Sequence, residues 1–464
     1  MRRRLAHLDR TSRIVRTFVR HGLLGFVDQL GLGDKKLADG HGRGEKIAAR
    51  FGRRLSMALN DLGPTFVKFG QILSTREDLF PDAVIRELAQ LQDNAKPFSS
   101  AEARRQIEKA IGRSVAEAFA EFDDEPLAAG SIAQVHRATT PDGHTVAVKV
   151  LRPGIHATID NDLGLLRALA EMASNRSPDI ARLDPTSLVE EFGRGLRAEL
   201  DFRDEAAALA TMARTVRGTA RVPRVFDDLS ATDVLTLEFV DGDRLSSIDP
   251  ADRGERLARL LVGCFATQYL RGQMFHADPH GGNVLLGADG RLALLDLGSV
   301  GSITPKMRRT LLKLSMAASR RDGGGMANAA LEMVHTPADL DEDAYRRDLG
   351  SLLEEAVASD LSQIDIPAMV NRAFAVARTH SLRIRSEYFL LLRSALLVDG
   401  LLRRLHPEID PVAATRSHIL RRFYTPMWFI PATFLSLQSL RKAGLGLWRR
   451  LRSSRRLELR APDE

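Results

Sequence analysis

The chain has a single cysteine, Cys264, in 464 residues. That excludes an intrachain disulfide framework and any zinc cluster built on cysteines, and it fits a reducing compartment. Lysine is scarce too: only ten of the 67 basic residues are lysines, the rest being arginines. A lysine inside a recognisable motif therefore stands out here more than in an average chain. Aromatic residues make up 6%, and no interleaving of aromatic and basic residues or zinc-finger spacing is present, so nothing points to nucleic acid. Internal repeats are absent and long apolar runs are missing, with one exception near the C-terminus. What is there is 44% hydrophobic and 27% charged, enough to pack a core in roughly two or three domain-sized units.

The net charge of +7 is unevenly placed, because residues 1–30 hold seven arginines against Asp9 and Asp28, and residues 416–464 are strongly basic as well. Residues 1–30 read as a basic amphipathic helix. Arg16, Arg20 and His21 interrupt the apolar stretch that a secretory signal requires, so no cleaved signal is expected. The exceptional run, Phe423 to Leu440, carries no charge, contains Pro426 and Pro431, and is flanked by arginines with Trp428 and Trp448 nearby. Its length is at the threshold for a spanning helix. An in-plane or re-entrant membrane segment is the preferred reading, with a proline-kinked core helix and a solvated basic tail as the alternative.

Between these ends the texture changes several times. Gly31 to Gly44 reads as a linker. From Glu45 to Lys96, Ile47, Phe51, Leu55, Leu59 and Leu62 recur at helical steps. A helix near Ser100–Glu121 opens with Ser100 as expected N-cap. Two β-prone runs, Ala133–Ala138 and Thr145–Leu151, flank a Pro141-Asp142-Gly143 turn and predict a hairpin. Helices are expected from about Ile159 to Arg214, strands near Arg221–Phe226 and Val234–Val240, and helices again from Arg253, broken by a hairpin-like passage at Asn283–Leu297. Gly323-Gly324-Gly325 reads as a surface loop.

Two acidic motifs carry the chemistry. The first is His276-Ala277-Asp278-Pro279-His280-Gly281-Gly282-Asn283, and the second is Asp296-Leu297-Gly298, which follows an apolar run. Phosphoryl transfer from ATP needs one carboxylate to orient the acceptor, and an amide and a second carboxylate to hold magnesium at the β- and γ-phosphates. Protein kinases use Asp-x4-Asn and Asp-Phe-Gly for this, in the same order and at the same short separation. Val146-Ala147-Val148-Lys149, on the second strand of the hairpin, matches the kinase strand whose lysine contacts the α- and β-phosphates. Its acidic partner is expected within Glu199 to Glu205, where Asp201 and Glu205 are four apart. Ala128-Ala129-Gly130-Ser131-Ile132-Ala133-Gln134-Val135 stands where a kinase has its glycine-rich loop, and Lys68-Phe69-Gly70-Gln71 lies on the preceding helical segment. His276 and His280 read as loop-orienting groups rather than metal ligands, since hard oxygen donors for magnesium are already present.

Over roughly residues 60 to 300 these motifs make the chain similar to the UbiB, or aarF, family of atypical protein-kinase-like proteins. The resemblance implies an α+β fold: a bilobal protein-kinase-like fold with an added N-terminal helical element covering the active site. It also implies binding of ATP with Mg2+, an ATPase or phosphotransferase activity, and support of ubiquinone (coenzyme Q) biosynthesis at a membrane. Carried over by position, Lys149 is the phosphate-contacting lysine and Glu205 its partner. Lys68 and Gln71 enter the nucleotide pocket, with Glu199 and Asp201 holding Lys68. Asp278 is the catalytic-loop carboxylate, Asn283 and Asp296 are the magnesium ligands, and Ala129, Gly130 and Ser131 face the phosphates. The backbone from Glu238 to Val240 meets the adenine. Two departures from the family pattern are Gly130 for an alanine and Ala133 for a glycine, so Gly130→Ala is expected to change nucleotide affinity. Leu297 in place of phenylalanine is a mild change.

The expected organisation is a basic segment and linker (1–44), a helical extension (45–122), a kinase-like N-lobe with a helical insert (123–242), a helical C-lobe (243–412) and an apolar, basic C-terminal segment (413–464). The expected partners are a membrane lipid surface and isoprenoid-quinone precursors or their biosynthetic enzymes, with oligomeric state left open. The expected location is the cytoplasmic side of a membrane, peripheral or C-terminally anchored. Two other functions compete: a nucleotide-binding scaffold without turnover, and a small-molecule phosphotransferase of the aminoglycoside or choline kinase type.

Overall fold

The computed structural model describes residues 12–14, 16–23, 43–74, 80–91, 96–176, 181, 184–251, 253–337, 340–358, 366–380, 382–410, 414 and 415. The chain divides at Ala414/Thr415 into two units, and the first is described here. The apolar run 423–440 and the basic tail lie outside the described residues, as does most of the expected linker. Among the described residues no helix is long and apolar enough to cross a membrane.

Three helices, α1 (Arg43–Leu62), α2 (Pro64–Leu73) and α3 (Asp82–Leu88), form the N-terminal extension. The expected linker is thus two residues too long, since α1 already includes Arg43 and Gly44. Gly63, at φ 101°, breaks the chain between α1 and α2, and Pro64 occupies the first turn of α2, where its missing N–H is not needed. Next comes α4 (Ser100–Ile111), followed by α5 (Val115–Ala118). The expected single helix is therefore two, and its cap is Ser99 rather than Ser100. The Ser99 hydroxyl accepts from the Glu102 N–H while the Glu102 carboxylate accepts from the Ser99 N–H, and left-handed Gly112 stops the helix.

The first sheet takes β1 (Glu121–Phe122), β2 (Ala128–Ala129), β3 (Ala133–Thr139) and β4 (Thr145–Leu151). Among the described residues α6 (Ile155–Arg176), α7 (Pro185–Ala198) and α8 (Phe202–Thr215) follow, then β5 (Ala220–Arg221) and β6 (Val234–Glu238). Strand order is β1-β3-β4-β6, all antiparallel, with β2 paired to β3. Period-two alternation in β4 buries Val146, Val148 and Val150 against Ile107, Val115 and Phe119 of the α4–α5 region. Lys149 is left on the other face. The expected strand at 221–226 is reduced to β5 and a lone bridge between Val225 and Leu237.

Beyond the connector at 239–241 come β7 (Gly242–Arg244), α9 (Gly254–Arg271), β8 (Met274–His276), β9 (Val284–Gly287), β10 (Leu292–Leu294) and β11 (Val300–Ser302). A second sheet runs β5-β10-β9-β7, and β8 pairs separately with β11. The helical remainder is α10 (Pro305–Ser319), α11 (Gly323–Ala330), α12 (Glu342–Ala358), α13 (Ile366–Thr379) and α14 (Ser386–Leu405), with a small β12 (Val334–His335) and β13 (Arg383–Ile384) pair. The triple glycine is not a surface loop. It is the first turn of α11, capped by Asp322, and a Cβ on Gly323 would lie 2.6 Å from the Gly350 carbonyl of α12. The residues are small because two helices meet there.

One apolar cluster joins the extension to the lobes: Leu59, Phe66 and Leu88 share it with Phe192 and Leu196 of α7, Phe265 of α9 and Leu402 of α14. The extension is therefore part of the core and not an appendage.

Candidate active site

Strand pairing gathers the acidic residues. Asn283 precedes β9 and Asp296 follows β10, and the Leu295 N–H donates to the Asn283 carbonyl, so both groups emerge at one end of this hairpin. Asp278 follows β8, which pairs with β11 through Val300 and His276, and the Ala277 N–H donates to the Ser299 carbonyl. That pairing draws the Asp278 segment against the Asp296-Leu297-Gly298 segment.

Opposite them, Lys149 sits on β4 facing α8. Its ammonium donates to both Glu205 oxygens at 3.1 and 2.8 Å and lies 3.6 Å from Asp296, above the Phe202 ring. Burial alone would push Lys149 down, but Asp296 and Glu205 outweigh it and hold the ammonium above the ordinary lysine range. Lys149 in turn holds the Asp296 carboxyl well below the usual range against the opposing effect of burial, with Lys68 contributing. Burial pushes the Glu205 carboxyl up and Lys149 counters it. Asp296 also accepts from the Gly298 N–H at 2.9 Å, which fixes its rotamer.

Lys68 reaches this cluster from α2 and pairs with Glu199. The rest of its motif is used differently from expectation. Gln71 does not enter the pocket: its amide donates to the Leu91 carbonyl at 3.1 Å, within the extension. A Cβ on Gly70 would lie 2.3 Å from Leu91 Cδ1 and 2.7 Å from Leu59 Cδ1, so glycine lets α2 approach its neighbours. Asp201 is also turned elsewhere. It caps α8, accepting from the Arg203 N–H, and ion-pairs with the Arg203 guanidinium. Glu199 is the member of the acidic pair that meets Lys68.

The alanine-rich loop is clamped by residues the motifs left without a role. Arg152 donates to the Gly130 carbonyl at 2.9 and 2.8 Å and to the Lys96 carbonyl at 2.7 Å. The buried Gln134 amide accepts from the Phe98 N–H and donates to the Phe98 carbonyl and to His136 Nε2. The alanine-rich loop and the irregular segment that leads in from the extension through Lys96 and Phe98 are thus tied to each other. Gly130 is not among the glycines with positive φ. Its neighbours Ala129, in β2, and Ser131, fully buried, complete the turn into β3.

At the connector, the Glu238 side chain pairs with Arg221 and its N–H donates to the Arg224 carbonyl. Val240 packs on Leu285 and Ala293, an apolar floor where β6 hands over to β7. Gly242 is required there, since a Cβ would lie 2.4 Å from the Leu286 carbonyl.

In the catalytic loop, the Asn283 amide donates to the Asp278 carbonyl at 3.4 Å, and the Asp278 N–H donates to His276 Nδ1 at 3.3 Å. Burial pushes His276 down to about 4, which favours the neutral imidazole whose Nδ1 accepts the Asp278 N–H. The residue that sequence reasoning missed is Arg393, on α14, whose guanidinium donates to Asp278 Oδ1 at 2.8 Å. It lies 115 positions from Asp278 in a leucine-rich helix, with no motif around it to signal a site.

Comparison with known proteins agrees with this geometry. The ABC1 atypical kinase-like domain matches residues 90–330, and the UbiB helical domain matches residues 349–410. The protein named "Probable protein kinase UbiB" from Xylella fastidiosa is 38% identical over 391 residues, covering 81% of this chain and 71% of that one. Its namesake from Marinobacter nauticus is 36% identical over 369 residues, covering 77% and 68%. The solved Rv3197–erythromycin complex from Mycobacterium tuberculosis has the same kinase-like fold, with a TM-score of 0.52 and 22% identity over 79% of this chain and 95% of that one. With its Lys149–Glu205 pair, paired acidic motifs and two matching domains, the chain belongs to the UbiB family of atypical kinase-like proteins.

Proposed function

We propose that this protein binds ATP with magnesium between its lobes and hydrolyses it or transfers its γ-phosphoryl group, acting at a membrane surface in support of ubiquinone biosynthesis. The observation that carries the reading is Lys149 held between Glu205 and Asp296. One ammonium faces two carboxylates, so the cluster keeps a residual negative charge that a divalent cation would complete. Asn283 and Asp296 supply the hard oxygen donors that suit magnesium. When bound, magnesium neutralises charge on the β- and γ-phosphates. The chain's own residues do the rest. Lys149 meets the α- and β-phosphates, the Ala129-Gly130-Ser131 turn lies over them, the connector from Glu238 to Val240 borders the base, and Asp278 orients the attacking water or hydroxyl.

The membrane part of the proposal rests on charge. The arginine-rich stretch before residue 30 and the basic residues around the apolar run 423–440 suit an anionic lipid surface.

The test is ATP hydrolysis by the purified full chain with and without anionic liposomes, with Asp296→Asn as control. Turnover in the wild type and a loss of roughly 10²- to 10³-fold in the variant supports the reading. Equal turnover in both assigns the activity to a contaminant. Nucleotide binding without turnover in either favours the scaffold. Deleting both basic ends should abolish liposome co-sedimentation and spare nucleotide binding; retained co-sedimentation refutes the membrane assignment.

A further inference from the structure

The catalytic loop is held from outside the kinase-like core. Three residues of α14 meet it: Arg393 donates to Asp278 Oδ1 at 2.8 Å, the Ser394 hydroxyl donates to the His276 carbonyl at 2.6 Å, and Leu401 lies against Gly281, where a Cβ would be 3.1 Å from its Cδ2. Tyr269 of α9 shares a hydrogen bond with Ser394 at 2.8 Å and closes the seam. We infer that Arg393 is a positioning residue for phosphoryl transfer: through the Arg393–Asp278 ion pair, α14 sets the orientation of the carboxylate that aligns the attacking oxygen.

The inference rests on the ATP-dependent reading proposed above and deepens it. The physical case has two parts. A carboxylate directed at a triphosphate meets like charge, and a guanidinium at hydrogen-bond distance offsets that repulsion while fixing the carboxylate through a charge-assisted bond. The pair is also partly solvent-accessible, with side chains 28% and 33% exposed, so it adds little to folding stability. A partly exposed pair that hardly stabilises the fold but restrains the catalytic carboxylate should show itself in kcat, while Tm and nucleotide affinity stay near wild type.

A double-mutant cycle on the full-length protein reads this directly. Steady-state ATP turnover, the Kd for Mg–ATP and Tm are measured for wild type, Arg393→Gln, Asp278→Asn and the double variant. Arg393→Gln should lower kcat by about 10²-fold, the cost of a misaligned reacting group, while the Kd moves less than threefold. In the Asp278→Asn background the same substitution should have no further effect. Arg393→Lys should lose several-fold in kcat yet stay within about tenfold of wild type, since an ammonium reaches one oxygen without the planar fork. Wild-type kcat in Arg393→Gln overturns the inference, as does an undiminished effect in the Asp278→Asn background or a joint collapse of nucleotide binding and Tm. If Arg393→Gln does not fold, the cycle is run with Arg393→Lys. A several-fold loss confined to the Asp278 background then supports the inference, and no loss overturns it. A wild type without turnover overturns the proposed function itself, which separates the two failures.

Discussion

Two helical additions flank the kinase-like core, and each delivers one cation to a carboxylate of the site. From the N-terminal side α2 sends Lys68 to Glu199, and from the C-terminal side α14 sends Arg393 to Asp278. The docking residues follow the cation in both cases: Gly70 and Gln71 seat α2 on Leu59 and Leu91, and Ser394 seats α14 on the His276 carbonyl. All four charged side chains are partly exposed, so neither pair is a large source of folding energy. Their common effect is to place carboxylates. They differ in where the carboxylate lies, since Glu199 adjoins the Lys149 cluster and Asp278 lies on the loop that follows β8.

The largest expected effect comes from loosening the C-terminal side. A Cβ on Gly254, the first residue of α9, would lie 2.0 Å from the Leu405 carbonyl at the end of α14. That atom is backbone and cannot rotate away. Gly254→Ala should therefore destabilise the protein by about 2 kcal/mol, within the usual range for overpacking, and lower kcat beyond what the loss of folded protein explains, because α14 carries Arg393. Chemical denaturation with a turnover assay on the folded fraction checks this; wild-type stability would show that the α9–α14 seam has slack.

Lys68→Met sharpens the contrast at the other side. It keeps the length of the side chain and removes its charge, so stability should change by less than about 1 kcal/mol. Because Lys68 acts on Asp296 as well as pairing with Glu199, the Kd for Mg–ATP should rise several-fold. Arg393→Gln is expected to do the reverse, sparing Kd and lowering kcat. If both substitutions move the same parameter, the two additions are not divided between binding and transfer.

The junction between extension and N-lobe adds a pH dependence. His136 is fully buried, with Nδ1 donating to the Asp123 carbonyl and Nε2 accepting from the Gln134 amide, which in turn holds Phe98. Burial pushes His136 below the ordinary histidine value, so the fold favours the neutral ring. Below about pH 6.5 the unfolded chain binds the proton more readily than the folded one. The contribution is therefore complete above that pH and lost as pH falls through the lower folded value. Denaturation at pH 7.5 and pH 5 should show wild type losing more stability than His136→Gln, and parallel losses would remove His136 as the cause.

Much of this site was legible because kinase chemistry is written in short local patterns. Lys149, Asp278, Asn283 and Asp296 stand in runs whose spacing is set by a strand or a loop, and the structure brings them together. The β3–β4 hairpin was legible for the same reason, as alternation and a Pro-Asp-Gly turn are local signals. What was not legible depends on distant chain. Asp201 and Glu199 look equivalent in sequence, yet Glu199 stands at the end of α7 and Asp201 at the start of α8, which makes Asp201 the cap of that helix. Gln71 sits beside Lys68 in one motif, yet the carbonyl it needs belongs to Leu91. Gly323-Gly324-Gly325 has the composition of a loop, and only the approach of α12 makes it a helix. Arg393 is one of many arginines, and nothing local separates it from the rest.

The smallest expected effect tests whether the two additions are packed with equal tolerance. Gly70 is as crowded as Gly254 by distance, but the atoms a Cβ would meet are the methyl ends of Leu59 and Leu91, which can rotate, rather than a backbone carbonyl. Alanine also favours a helix interior over glycine by roughly 1 kcal/mol, which offsets part of the repacking cost. Gly70→Ala should consequently stay within about 1 kcal/mol of wild type, measured by denaturation beside Gly254→Ala. A loss as large as that of Gly254→Ala would mean that α2 has no more freedom than α9, and that Lys68 is as rigidly delivered as Arg393. A near-neutral result would leave the N-terminal side as the softer of the two, able to shift Lys68 without disturbing the lobes beneath it.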